Sequence, residues 1–342
     1  MKKIVVWVML SLILQTSVLY ILNNYVCVNS SEFKSKKSNI NKYTSKDIKG
    51  SIPSDVKNVN LSYDGKYMTY LREKTLNIED TRTGKSNEFK TENNEVVMCY
   101  TWLNNRNIIA IVEKVKKDGR EKIQLITYDV KNDSKTFVQV ICRYKENLEV
   151  ENITTSVLTG VFYIHINKNR IQSMIYRIDR NNDLSEIDIN AEVVDNMKAI
   201  QHEDRLVYEN KLNNKIFATT PNKQLKFNSN NKLKLLDIDK NDVIYVGEIN
   251  GDDITSVTYG KINEDISTWK KLNIDSPTNK DQLYCNNENQ ILINNNLEGY
   301  VKNLVNGKKV DYDGKFIQII KDFIVSIDGD GKLIYIPYKD VL

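Results

Sequence analysis

SYDGKYMTYL (residues 62–71), followed four residues later by LNIEDTRTGK (residues 76–85), is the stretch on which the fold is decided. Asp64-Gly65 is a turn signal, because glycine tolerates positive φ and an aspartate can bond nearby backbone N–H groups. An apolar strand follows the turn around Met68. In the next segment Leu76 and Ile78 alternate onto one face, and Thr83-Gly84 turns the chain again. Short alternating runs bounded by Asp, Asn and Gly are the signature of antiparallel strands and hairpins.

Working outward, the turn-then-apolar-strand unit recurs. It is found as NNRNIIAIV near Ile109, LTGVFYIHI near Phe162, HEDRLVYEN near Val207, KNDVIYVGEI near Ile244, NENQILINN near Leu292 and KDFIVSID near Val325. The seven anchors are separated by 41, 53, 45, 37, 48 and 33 residues, a mean of about 43, which is the length of a four-stranded propeller blade. IQLITYDVKNDSK (123–135) and MIYRIDRNND (174–183) repeat the second strand, and Asn306-Gly307 favours a type I′ hairpin. The predicted fold is all-β: a β-propeller of about seven four-stranded blades. Six or eight blades, or two stacked β-sandwiches, are the alternatives. After Val325 only one further strand, KLIYIPY (332–338), follows, so a segment within Asp47–Val56 is expected to supply the missing strand and close the ring.

The N-terminal region differs. Lys2 and Lys3 precede Ile4–Leu22, 19 residues without a charge, about 28 Å as a helix and near the thickness of a bilayer core. Residues 1–28 are therefore expected to be an uncleaved signal-anchor, 29–46 a flexible Ser-, Lys- and Asn-rich tether, and 47–342 the propeller. Cleavage near Ser30, which would secrete the body, is the alternative; Cys27 sits in a poor lipobox. Long domains translocate largely regardless of charge, so the body is expected outside.

The two segments 62–71 and 76–85 resemble the repeat of TolB-type and dipeptidyl-peptidase-type propellers, roughly S-P-D-G-K-x-I-A-F and then L-x-x-x-D-x-x-T-G. Ser62, Asp64, Gly65 and Lys66 match the first half, and Asp80, Thr83 and Gly84 the second, with Tyr63 in place of proline. The remaining blades match by spacing and plan. The resemblance implies the fold and carries no activity, since propellers host both binding modules and enzymes.

Composition narrows the function. With 49 Lys and Arg against 45 Asp and Glu the charge is +4, too small a surplus for a nucleic-acid binder. No G-x-S-x-G elbow and no glycine-rich phosphate loop occurs, so no hydrolase domain or nucleotide site is expected. The histidines are His165, in a strand and expected to be structural, and His202, which opens a turn. Cys27, Cys99, Cys142 and Cys285 have no zinc spacing and are expected to be unpaired thiols; Cys99 and Cys142 fall on the first and last strands of one blade. Asp237, Asp239, Asn241 and Glu248 imitate a calcium loop, but Asp242 replaces its glycine and an Asx turn accounts for them. Asp328 and Asp330 belong to a Gly-rich hairpin ending at Lys332. Trp102 and Trp269 are expected between blades rather than on a sugar.

The resulting expectation is a monomeric, non-enzymatic binding module without cofactor or metal. It is tethered at the outer face of a bacterial membrane and takes a protein or cell-wall partner on one propeller face. An enzyme or ligand sensor with its site in the channel is the second reading, and an inward-facing propeller in the cytosol or spore the third.

Overall fold

Seven antiparallel sheets follow one another along residues 60–88, 96–143, 148–187, 194–225, 232–279, 283–311 and 315–337. The first six have four strands, the seventh three, and within each the strands neighbour one another in sequence order. This computed structural model describes residues 2–21, 48–53, 55–56, 59–73, 75–91, 95–286 and 290–338. All seven apolar anchors fall on the second strand of successive blades: Tyr67–Arg72, Ile108–Lys117, Val161–Lys168, Leu206–Asn210, Val243–Asn250, Gln290–Asn295 and Phe323–Ile327. That strand is covered on both sides by its neighbours, which explains its continuous apolar run; Ile109, Ile111, Ile164, Val207, Ile244 and Leu292 have no exposed surface. Burying each such side chain stabilises the fold by about 2–3 kcal/mol.

The core is divided into seams between blades rather than gathered in one centre. Leu103, Ala110 and Ile123 of the second blade pack with Ile153 and Ile164 of the third. Tyr163 and Ile175 of the third pack with Met197 and Leu206 of the fourth. The uneven anchor spacing has a local cause. Three ten-residue strands make the second blade long, whereas two strands of four residues and one of three keep the sixth short.

The first strands lie innermost and run parallel. Asn196 donates to the Leu235 carbonyl at 2.9 Å and Asp195 meets Lys234, each pair 39 residues apart. Ala199 N donates to Thr154, 45 residues apart, at 3.2 Å. Constant offsets of this kind require strands in the same direction. All first strands therefore begin on one face of the ring, called here the upper face. Turns between second and third strands return to that face, and those between first and second strands lie on the opposite one.

Ring closure follows the expectation for the part that is described. Ser51 bridges Lys332 in antiparallel fashion, with Ile52 N donating to Gly331 O at 2.9 Å and Leu333 N to Gly50 O at 3.2 Å. Lys49 N and Gly50 N instead reach Thr81 O of the first blade at 2.9 and 2.8 Å. One short segment thus ties the seventh blade to the first.

One local expectation fails. A type I′ turn needs positive φ at both central residues, but at Asn306-Gly307 only Gly307 has it, at 75°. Its N–H bonds to Asn303 O at 2.9 Å while Asn303 Oδ1 accepts from Val305 N. This wider turn is general. A side-chain acceptor caps the loop and a left-handed residue four positions later closes it at Asp80–Gly84, Ser156–Gly160, Asn210–Asn214, Asn295–Gly299 and Asn303–Gly307.

A separate unit holds the helix α1, Lys2–Ile21. Val6, Trp7, Leu10, Leu14 and Leu19 are all exposed on it. Among the described residues no helix is long and apolar enough to cross a membrane; the longest run of α1 whose side chains are described is 9–20. The tether expected over 29–46 and Cys27 lie outside the described residues.

Candidate functional site

Two places gather polar groups that the fold itself does not demand. The first is the inner wall of the fourth to sixth blades. Lys198 Nζ and Asp237 Oδ1 meet at 3.0 Å, with 35% and 39% of their side chains exposed. Both sit on innermost strands, so the solvent they see is axial. Asp237 holds the Lys198 ammonium above its usual range despite burial. Nearer the upper face, Lys234 pairs with Asp195 and also with Glu209 Oε1 at 3.2 Å, where Glu209 is fully buried. Glu209 Oε2 accepts from Leu235 N at 3.0 Å. Burial pushes the Glu209 carboxyl up against the opposing pull of Lys234. Asp195 is also raised by burial, but Lys234, Lys280 and Lys211 outweigh that and hold it low. Lys280 stands on the crossing from the fifth blade to the sixth. Burial and the charge of Lys234 depress its ammonium, against Glu209 and Asp195.

The second place is a cavity of about 420 Å³ on the upper face. It opens between the crossing into the fourth blade (Ile189, Asn190, Ala191, Glu192) and the turn at Asn210, Leu212 and Asn213. Two backbone bonds and one to a side chain fix these walls: Ser173 N to Glu192 O at 2.7 Å, Lys211 N to Val193 O at 2.9 Å, and Asn190 N to Tyr208 Oη at 2.8 Å. Asn210 ties both walls, donating to Asn190 O at 3.2 Å and accepting from Leu212 N at 2.9 Å. Leu212 is 66% exposed at its rim, and Ile171 and Leu297, on turns of the same face, are 69% and 98% exposed.

The opposite face is braced instead. Asp204 accepts from Tyr163 Oη at 2.5 Å and from Arg177 Nε at 2.9 Å. Asp242 accepts from the Gln201 and His202 backbone N–H groups and meets His202 Nδ1 at 2.9 Å. Among the described residues, Leu158 and Val305 are exposed aliphatics on turns of that side.

The residues singled out in the sequence are dispersed. His165 is 2% exposed, its Nε2 between Ser173 Oγ (2.8 Å) and Asn167 Oδ1 (3.0 Å), and burial lowers its imidazole pKa. It is a satisfied core group, while His202 braces a turn as described. Cys99, Cys142 and Cys285 are free thiols. Burial raises Cys99 and Cys142 to about 11 and Cys285 well above its usual value; none is a poised thiolate. Glu248 pairs across the ladder with Leu233 while Asp237 pairs with Tyr245, so about 13 Å of strand separates them. Asp239 accepts from Asn241 N at 2.8 Å and Val243 N at 3.0 Å, an Asx turn. Asp328 likewise caps the loop through Asp330 N and Lys332 N. Trp102 and Trp269 are wedged in seams, donating to Thr69 Oγ1 at 3.0 Å and Lys261 O at 3.1 Å. Sequence reading missed Lys198, Lys234, Lys280 and Glu209, because their partners lie on different blades, and the whole pocket, because its two walls are about 20 residues apart on one blade.

No family model and no curated protein matches the chain. Solved structures do. The chain is similar to one of two prolyl endopeptidases analysed for inter-domain dynamics, at TM-score 0.53 and 9% identity over 82% of this chain and 46% of that one. It spans less than half of that peptidase. The Cps50 (Swd1) β-propeller domain of Myceliophteria thermophila matches at 0.52 and 10%, covering 84% and 98%. The RRP9 WD40 repeats match at 0.51 and 11%, covering 86% and 98%. At such identities the likeness is one of fold: the chain carries a seven-bladed β-propeller.

Proposed function

We propose that this protein is a non-enzymatic binding module that presents the upper face of its propeller to a protein or cell-wall ligand. The observation that carries this reading is the cavity beside Leu212, with Ile171 and Leu297 exposed on turns of the same face. Propellers commonly serve as protein-interaction modules, and loops set on a rigid scaffold are where such folds carry function. A photo-cross-linking side chain at Ile171 or Leu297 is expected to capture the same product, and one at Leu158 is not. Capture from Leu158 alone would overturn the choice of face.

The same proposal places the body outside a membrane, single-pass, with residues 1–28 as an uncleaved anchor. The uncharged run Ile4–Leu22 and the exposed apolar side chains of α1 support it. The protein is then expected to stay with membranes through high-salt washing; a soluble body beginning near Ser31 would support secretion instead. Kinship with TolB-type repeats belongs to this proposal and rests on the turns at Asp64-Gly65 and Asp80–Gly84.

A second reading, a ligand sensor or enzyme acting in the channel, is favoured by one observation, the ion pairs of Lys198 with Asp237 and of Lys234 with Asp195 and Glu209 gathered on the inner wall, beside which the Lys280 ammonium is depressed. It predicts that Lys280→Met changes a response to a small ligand without changing capture at Ile171.

A further inference from the structure

Resting on the reading of the upper face as a binding surface, the chemistry of its cavity defines what enters it. Ile189, Ala191 and Leu212 give the cavity an aliphatic side. Asn190, Glu192 and Asn213 are exposed at it. Asn213 Oδ1 is committed to Lys215 N at 3.0 Å. Among the described residues no lysine or arginine lies within ion-pair distance of Glu192. Lys211, next in sequence to Leu212, acts on Asp195 instead. The cavity therefore offers an aliphatic wall beside one carboxylate that has no cationic partner among the described residues.

We infer that the cavity takes an aliphatic chain ending in a primary ammonium, such as a lysine side chain of a peptide partner. Methylene groups of such a chain cover Leu212, Ile189 and Ala191, as lysine stems cover apolar surface elsewhere while their heads stay wet. The ammonium reaches Glu192, and a charge-assisted hydrogen bond there is stronger than a neutral one. Asn190 adds an amide oxygen as a further acceptor. A fully apolar ligand would leave Glu192 desolvated without a partner, which is costly. A phosphate or carboxylate would be repelled.

The test uses the full chain in detergent and ligand-observed saturation-transfer NMR. The probes are Nα-acetyl-lysine amide, its Nε-acetylated form, 1-hexanol and a methyl glycoside. The expected result is transfer to the lysine amide, strongest on its side-chain methylenes, and markedly less to the other three. Glu192→Gln is expected to weaken the lysine probe about tenfold. Leu212→Ser is expected to weaken it several-fold, and both positions are exposed, so neither variant should impair folding. Equal binding of 1-hexanol, unaltered binding in Glu192→Gln, preferential binding of the glycoside, or no transfer to any probe would each overturn the inference. Cross-linking at Ile171 and Leu297 is scored separately in the same protein. Lost lysine binding with retained capture refutes the ligand class alone, whereas loss of both refutes the face.

Discussion

Replacing Gly65 with alanine is the most informative single perturbation of the ring. Gly65 has φ of 70°, and a Cβ placed there would lie 2.6 Å from both Ile320 Cδ1 and Tyr335 Cε1 of the seventh blade. Its carbonyl also accepts from Thr81 Oγ1 and Tyr335 Oη, each at 2.7 Å, so the turn cannot slide away without breaking bonds. Left-handed backbone costs a non-glycine residue about 1–2 kcal/mol, and forced overpacking about 1–3 kcal/mol. The expected loss for Gly65→Ala is thus about 2–5 kcal/mol. Gly119 supplies the control, with φ of 71° and nothing within 4 Å of its Cβ; Gly119→Ala should lose only the strain, about 1–2 kcal/mol. Urea denaturation of the two variants measures the difference. If they lose equal stability, the packing of Gly65 against the seventh blade contributes nothing and the reasoning fails.

Ile48→Ala, at a residue 1% exposed in the closing segment, should cost about 2–4 kcal/mol; unchanged stability by denaturant titration would remove that segment from the energetics of closure. Trp102→Phe loses the indole bond to Thr69 Oγ1 and should cost about 1 kcal/mol, read in the same assay. His165 has a folded-state pKa below the ordinary imidazole value of 6.5 because burial disfavours the imidazolium. Its contribution is therefore complete above about pH 6.5 and is lost as pH falls toward the folded value. Stability measured at about pH 7 and about pH 5 should fall less in His165→Gln than in the parent; equal falls would assign the acid sensitivity to other groups.

How much was legible follows from where each feature is encoded. The second strand of every blade is buried on both faces, so its apolar run survives in the sequence around Met68, Ile109 or Ile244. The three-strand end near Lys332 announced a missing strand, and Ser51 supplies its bridge. The recurrent capped turn was hidden because its first residue is Asp, Ser or Asn and its last Gly or Asn. Geometry rather than identity is what repeats. The channel pairs and the cavity were illegible for another reason. Asp195 and Lys234 are 39 residues apart, and Glu192 and Leu212 meet only because the fourth blade folds back on its own entry. The charges gave no linear pattern, since each strand contributes one or two.

The bridge between Ser51 and Lys332 also bears on how the protein is made. Residues 48–52 leave the ribosome before any blade, yet their partner strand follows almost all the others, and Tyr335 reaches Gly65 across 270 residues. Six blades can form and stack as synthesis proceeds, since their strands pair within short stretches of sequence. The seam between seventh and first must wait, leaving the Gly50 carbonyl, the Ile52 N–H and the face of Gly65 without their seventh-blade partners in the nascent chain. Contacts of such sequence separation form slowly. The ring consequently stays open until the seventh blade has been made, and over that period its unpaired edges require protection from other chains.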